Sequence, residues 1–157
     1  MMASKTSASV TIAIAILVAA TASAADGERR VTYENTIEEL MEQRCLACHG
    51  KDAPTLEEFD KDKQGYKQKL KGPRMDSYDA LVVLVNGKDA GALMRRLDDG
   101  ANTKDKKPGN MYVNLGATDA ERAANLKLFK AWVGSWNLTR SAELSDAERQ
   151  AITAPRR

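Results

Sequence analysis

The stretch Arg44-Cys45-Leu46-Ala47-Cys48-His49-Gly50 holds both cysteines and the only histidine of a 157-residue chain. No other feature restricts the fold as much. Whatever these three side chains bind, the rest of the chain must be arranged around it. The Cys-x-x-Cys-His spacing suits a redox dithiol, a metal site or the covalent attachment of a c-type haem.

The N-terminal residues bear on the choice. Lys5 precedes an apolar run from Val10 to Ala20 interrupted by a single Thr, and Ala22-Ser23-Ala24 follows. A basic start, a short apolar core and small residues at the end are the marks of a secretory signal peptide. A membrane span needs about 20 apolar residues, and this run is too short for one. We expect residues 1–24 to be a leader cleaved after Ala24. Residues 25–140 should then form one domain and 141–157 a C-terminal tail, with a short helix in it or frayed. Loss of Lys5 lowers the formal charge from +2 by one, so nothing in the total points to nucleic acid. The mature chain should be soluble, periplasmic or otherwise exported, and not membrane-spanning.

An oxidising compartment favours disulfides. A bridge between Cys45 and Cys48 would close a very short loop and add little stability. Thioredoxin-like dithiols sit in βαβ units, and no such pattern is visible. A structural zinc needs four ligands. This chain offers three Cys or His residues, and two of those are adjacent. A covalent haem uses every part of the motif: two thioethers and one imidazole on iron.

The remaining signals are helical. Thr36 with Glu39, Thr55 with Glu58, Thr118 with Glu121 and Ser145 with Glu148 each have capping-box spacing. The first box predicts a helix from about residue 37 to residue 48, with Ile37, Leu40, Met41 and Arg44 along one side. The second opens a looser stripe of Leu56, Phe59, Tyr66 and Leu70, weakened by Gly65 and ended by Gly72-Pro73. Asp76 reads as the cap of a helix that stops at Asn86-Gly87, although residues 82–85 could instead be a short strand. A short helix ending at Gly100 comes next, then an aperiodic stretch over residues 100–117. Long loops of this kind are commonly functional. The closing helix carries Leu126, Phe129, Val133 and Trp136 at spacings of three and four, and should cross the first.

In this order, a helix running into "CLACH", a Gly-Pro element ("KGPRM"), a Met-bearing loop ("KPGNMYVNLG") and an aromatic closing helix ("LFKAWVGSW") resemble the class I single-haem cytochromes c. The resemblance spans about Thr36 to Trp136. It implies an all-α, class I cytochrome c-like helical domain around one covalently attached haem c. It also implies that the Pro73 carbonyl accepts a hydrogen bond from axial His49, with Pro54 as the rival, and that Met111 is the distal ligand.

A chain with one histidine cannot supply bis-histidine ligation. Met41 lies one turn before Cys45, Met94 sits at helical spacing, and Met75 follows the Gly-Pro element. Met41 and Met94 read as packing, and the resemblance, which sets the Gly-Pro element on the proximal side, argues against Met75 as the distal ligand. Asn110, Asn114 or an open iron remain alternatives to Met111. Tyr112 and Arg74 are candidate donors to the haem propionates. Lys61, Lys63, Lys67, Lys69, Lys71 and Arg74, against one acid, form a basic patch that could steer an acidic redox partner; the competing reading is a solvated helix face. The expected function is an electron carrier between redox proteins, not an enzyme. A haem protein with a labile distal site that binds or reduces a small diatomic or oxyanion is one alternative. A haem subunit of a larger oxidoreductase is another.

Overall fold

A computed structural model describes residues 30–157; the expected leader lies outside them. Eight α-helices run through these residues: α1 (Glu38–Arg44), α2 (Leu46–His49), α3 (Leu56–Lys61), α4 (Lys63–Gln68), α5 (Tyr78–Val82), α6 (Ala92–Leu97), α7 (Asp119–Val133) and α8 (Asp146–Ala151). A π-turn at Tyr33–Ile37 leads into α1, and short 3-10 turns cover Tyr112–Leu115 and Ser141–Glu143. The described residues hold no strand, only an isolated bridge between Gly134 and Ile152. None of their helices is long and apolar enough to cross a membrane.

Three of the four capping boxes form as the spacing predicts. Thr55, Thr118 and Ser145 each accept from the third helical amide, while Glu58, Glu121 and Glu148 reach back to the cap. The first box does not form at Thr36. Thr32 caps the turn and Asn35 returns the bond at 2.9 Å, while the Thr36 hydroxyl donates to Asn35 Oδ1 at 2.7 Å. The chain enters its helix early because the far terminus supplies the missing acceptors. The amides of Tyr33 and Glu34 donate to the carbonyls of Pro155 and Arg156 at 2.9 and 3.0 Å. A helix start whose free amides are satisfied from outside needs no help further along.

Other boundaries shift for similar local reasons. The first helix breaks at Cys45, which leaves the helical region at φ −121°, and resumes as α2. The loose stripe divides at Asp62, whose carboxylate accepts from the Gly65 amide at 2.9 Å and starts α4. Ser77, not Asp76, caps α5. Val82 ends α5 and residues 83–85 are turns, so no strand forms there. The closing helix stops at Val133, so Trp136 lies beyond it.

The core gathers Ile37, Leu40 and Met41 from the first helix, Leu81 and Val85 after α5, Leu93, Met94 and Leu97 from α6, and Leu126, Phe129, Trp132 and Val133 from α7. The closing helix packs against the π-turn that leads into α1: the Trp132 and Tyr33 rings lie 6.4 Å apart. The last residues strap this junction. Trp132 Nε1 donates to the Pro155 carbonyl at 2.9 Å, the Tyr78 hydroxyl to Ala154 at 2.8 Å and the Thr153 amide to Val133 at 2.8 Å.

Trp132→Phe keeps most of the ring packing and removes one of the two donors to the Pro155 carbonyl, which keeps the Tyr33 amide. Loss of one net hydrogen bond costs about 0.5–1.5 kcal/mol. The urea midpoint should fall accordingly, with the slope unchanged.

Candidate functional site

α2 delivers the motif. The amides of Cys48 and His49 both bond to the Cys45 carbonyl, at 3.2 and 3.0 Å, so the two cysteines and the histidine share one tight turn. Cys45 is half-buried, Cys48 exposed, and they are not joined to each other. Burial pushes the Cys45 thiol up to about 11. A redox dithiol needs the opposite, a thiol that ionises readily. No group of three or more Cys, His, Asp or Glu among the described residues could hold a bare metal ion.

His49 is buried, and its imidazole has one partner. Nδ1 lies 2.7 Å from the Pro73 carbonyl. A carbonyl can only accept, so Nδ1 carries the proton and Nε2 keeps its lone pair. Burial lowers the His49 pKa from its ordinary value, partly opposed by the Pro73 bond. The ring is therefore neutral at pH 7, the form that binds iron.

Main-chain bonds hold residues 72–75 against this turn. The Gly72 amide donates to Cys48 at 3.1 Å, Arg74 to Pro54 at 2.7 Å and Met75 to His49 at 2.8 Å. Pro54, the rival for the histidine, thus serves Arg74 instead. The Arg74 guanidinium turns to the Ala53 carbonyl at 3.2 Å. Gly72 is where the segment comes closest: a Cβ there would stand 2.0 Å from His49 Cε1. The Gly-Pro pair reads in the sequence as an ending, with Pro73 as the partner of His49 implied by the resemblance; the close approach of Gly72 to the ring is what the sequence does not make legible.

Met41, Met75 and Met94 are buried in the core, whereas Met111 is half-buried at its edge. Met111 sits on a limb returning from the long loop, with its amide on the Arg96 carbonyl at 3.0 Å. The Asn114 side-chain amide lies 3.6 Å from its sulfur. Asn110 accepts from the Arg96 guanidinium at 2.9 Å, and Tyr112 packs partly against the core.

The family described as PccH cytochrome c matches residues 32–154 of this chain. The chain belongs to the PccH cytochrome c family. The solved structure of the monoheme cytochrome PccH from Geobacter sulfurreducens is 47% identical, with a TM-score of 0.75 over 80% of this chain and 98% of that one. No curated protein matches. Membership in the PccH family makes this a haem-based electron-transfer protein with one covalently bound haem c, on an all-α cytochrome c-like fold. The residues fit that group: two cysteines free of each other and a neutral imidazole with Nε2 unprotonated.

Gly72→Ala must push the imidazole or residues 72–75 aside and break the Nδ1–Pro73 bond. We expect a lower thermal midpoint and a reduced yield of covalent haem protein. Pro73→Ala keeps the carbonyl and should be milder in both measurements.

Proposed function

We propose that this chain is an exported, soluble one-electron carrier. Cys45 and Cys48 hold its haem through thioether bonds, and His49 and Met111 are the axial ligands. The observation that carries the reading is the His49 imidazole, held at Nδ1 by Pro73 with Nε2 left to bind iron. Such a bond to the far nitrogen sets the tautomer and orients the ring. The haem supplies a single iron that alternates between the ferrous and ferric states.

Met111 is the methionine that favours sulfur ligation. The other three described methionines are buried in packing positions, while Met111 lies at the core's edge on a limb outside the α-helices. A thioether opposite histidine raises the reduction potential. The Asn114 N–H beside the sulfur orients it and leaves a second lone pair.

The basic run supports a docking role once its internal pairs are counted. Lys61 pairs with Glu57 at 2.8 Å and Lys63 with Asp60 at 2.9 Å, so part of the charge is answered within α3 and α4. The remainder centres on Lys67, Lys69 and Lys71, the sequence neighbours of Leu70, with Lys69 over the Tyr66 ring at 5.9 Å. Leu70 is 77% exposed and is one of two large apolar side chains so exposed among the described residues. An exposed apolar residue in a basic stretch suits an acidic redox partner.

One purified sample tests the carrier reading. Its mass should equal the chain from Ala25 onward plus one haem, and the ferric spectrum should show the sulfur-to-iron charge-transfer band in the near infrared. Met111→Ala should lose the band, bind carbon monoxide readily and have a lower potential. A wild-type protein that lacks the band or takes up carbon monoxide itself would favour a ligand-binding haem protein.

Reversing Lys67 and Lys69 to Glu should slow electron transfer to an acidic redox protein about tenfold at low salt. The difference should close as ionic strength rises. Equal rates at low salt would remove this surface from the docking role.

A further inference from the structure

Asp98 is the carboxylate that the described residues bury completely, at 0% exposure. Four donors surround it. Oδ1 accepts from the amides of Gly100 at 2.8 Å and Asn102 at 3.3 Å. Oδ2 accepts from Asn102 Nδ2 and from Trp136 Nε1, both at 2.8 Å. Burial works to raise its pKa, but these bonds outweigh it and hold the group below its ordinary value. It is ionised at neutral pH, and nothing in the electron-transfer reading uses its charge.

Its position explains why the fold keeps it. The chain leaves α6 at Asp98, loops outward and returns at Gly109. The carboxylate holds the outgoing limb at residues 100 and 102. The main-chain oxygen of the same residue accepts the Gly109 amide at 2.8 Å and so holds the returning limb. Gly109 presses so close that a Cβ would stand 2.3 Å from the Arg96 carbonyl oxygen and 2.4 Å from that of Arg95. Met111 follows two residues later, with its own amide on Arg96. Trp136 ties the assembly to the end of α7, where Lys130 lies over the indole at 5.6 Å and within 3.6 Å of Asp99. The far end of the limb is held by the same helix. Asn125 and Arg122 donate to the carbonyls of Leu115 and Gly116 at 2.6 and 2.9 Å.

We propose that Asp98 is a positioning residue for the distal ligand: by locking the base of the loop onto Trp136, it keeps the Met111 thioether in competition for the iron against outside ligands. The inference rests on Met111 as ligand. Asp98 acts through the backbone of residues 109–111 and does not itself meet the haem. Replacing it with Asn turns one acceptor into a donor that faces Trp136 or Asn102. The loop base then opens, and the limb that bears Met111 loses its anchor.

The test is imidazole titration of the ferric holoprotein. Asp98→Asn should bind imidazole at least tenfold more tightly than wild type and show a weakened charge-transfer band, with the helical circular dichroism retained. Trp136→Phe, which removes one donor, should fall between the two. Trp132→Phe loosens the terminal strap but not this loop, and should leave imidazole affinity unchanged; a rise there equal to that of Asp98→Asn would reduce Asp98 to general stability and overturn the proposal. Affinities of Asp98→Asn and Trp136→Phe both within twofold of wild type would also overturn it. If Asp98→Asn yields no holoprotein, Trp136→Phe decides alone. Met111→Ala separates the two levels. Unchanged affinity there removes the ligand assignment and this inference with it. Raised affinity there beside an unchanged Asp98→Asn removes this inference only.

Discussion

One hydrogen bond organises the centre of this protein: His49 Nδ1 to the Pro73 carbonyl, 2.7 Å long. It sets the tautomer, and with it which nitrogen faces outward. It also joins two segments 24 residues apart. The amides of Gly72, Arg74 and Met75 repeat that joining on the carbonyls of Cys48, Pro54 and His49. The result is a small main-chain lattice behind the motif, built without a strand. Gly72 allows it, because any side chain there would occupy the space of the imidazole.

The opposite limb is held by different means. On the His49 side the imidazole is embedded in the bonded unit itself, one residue from Cys48 and bonded directly to its support. On the Met111 side the anchors act at a distance, through Asp98 at one end and Asn125 with Arg122 at the other. The side chain between them is half-buried and meets a single weak donor, Asn114. A unit pinned at every residue tolerates little motion. A limb pinned at its ends opens locally at lower cost.

What the sequence made visible follows the range of the interactions. Capping boxes at Thr55, Thr118 and Ser145 depend on residues three apart, and they form as read. The all-α character and the motif are local as well. The box at Thr36 fails because the carbonyls that finish the helix start come from Pro155 and Arg156, at the other end of the chain. The break at Asp62 escapes notice because a polar residue inside an exposed helix looks like any other until its carboxylate is seen on Gly65. Residues 152–155 read as a tail of indeterminate order, yet their carbonyls receive Trp132, Tyr78 and Asn86. Asp98 is the hardest case. Beside Asp99 and Gly100 it looks like turn chemistry, and its decisive partner Trp136 is 38 positions away.

The same contrast explains how a small electron-transfer protein divides its tasks. A redox centre that keeps its geometry through both oxidation states loses little to reorganisation at each transfer, so positioning of the ligands matters more than the ligands' identity alone. The proximal side achieves this with short main-chain bonds in one compact turn. The limb that carries Met111, the proposed distal ligand, is held instead from its two ends. Burying a full negative charge at the loop base is a costly device unless every lone pair is answered. Here four donors answer it, and one of them, Trp136, lies just beyond the helix that closes the fold. Loop and terminal strap therefore both reach the α7 region, but through separate ties: the strap on Trp132 and the loop base on Trp136.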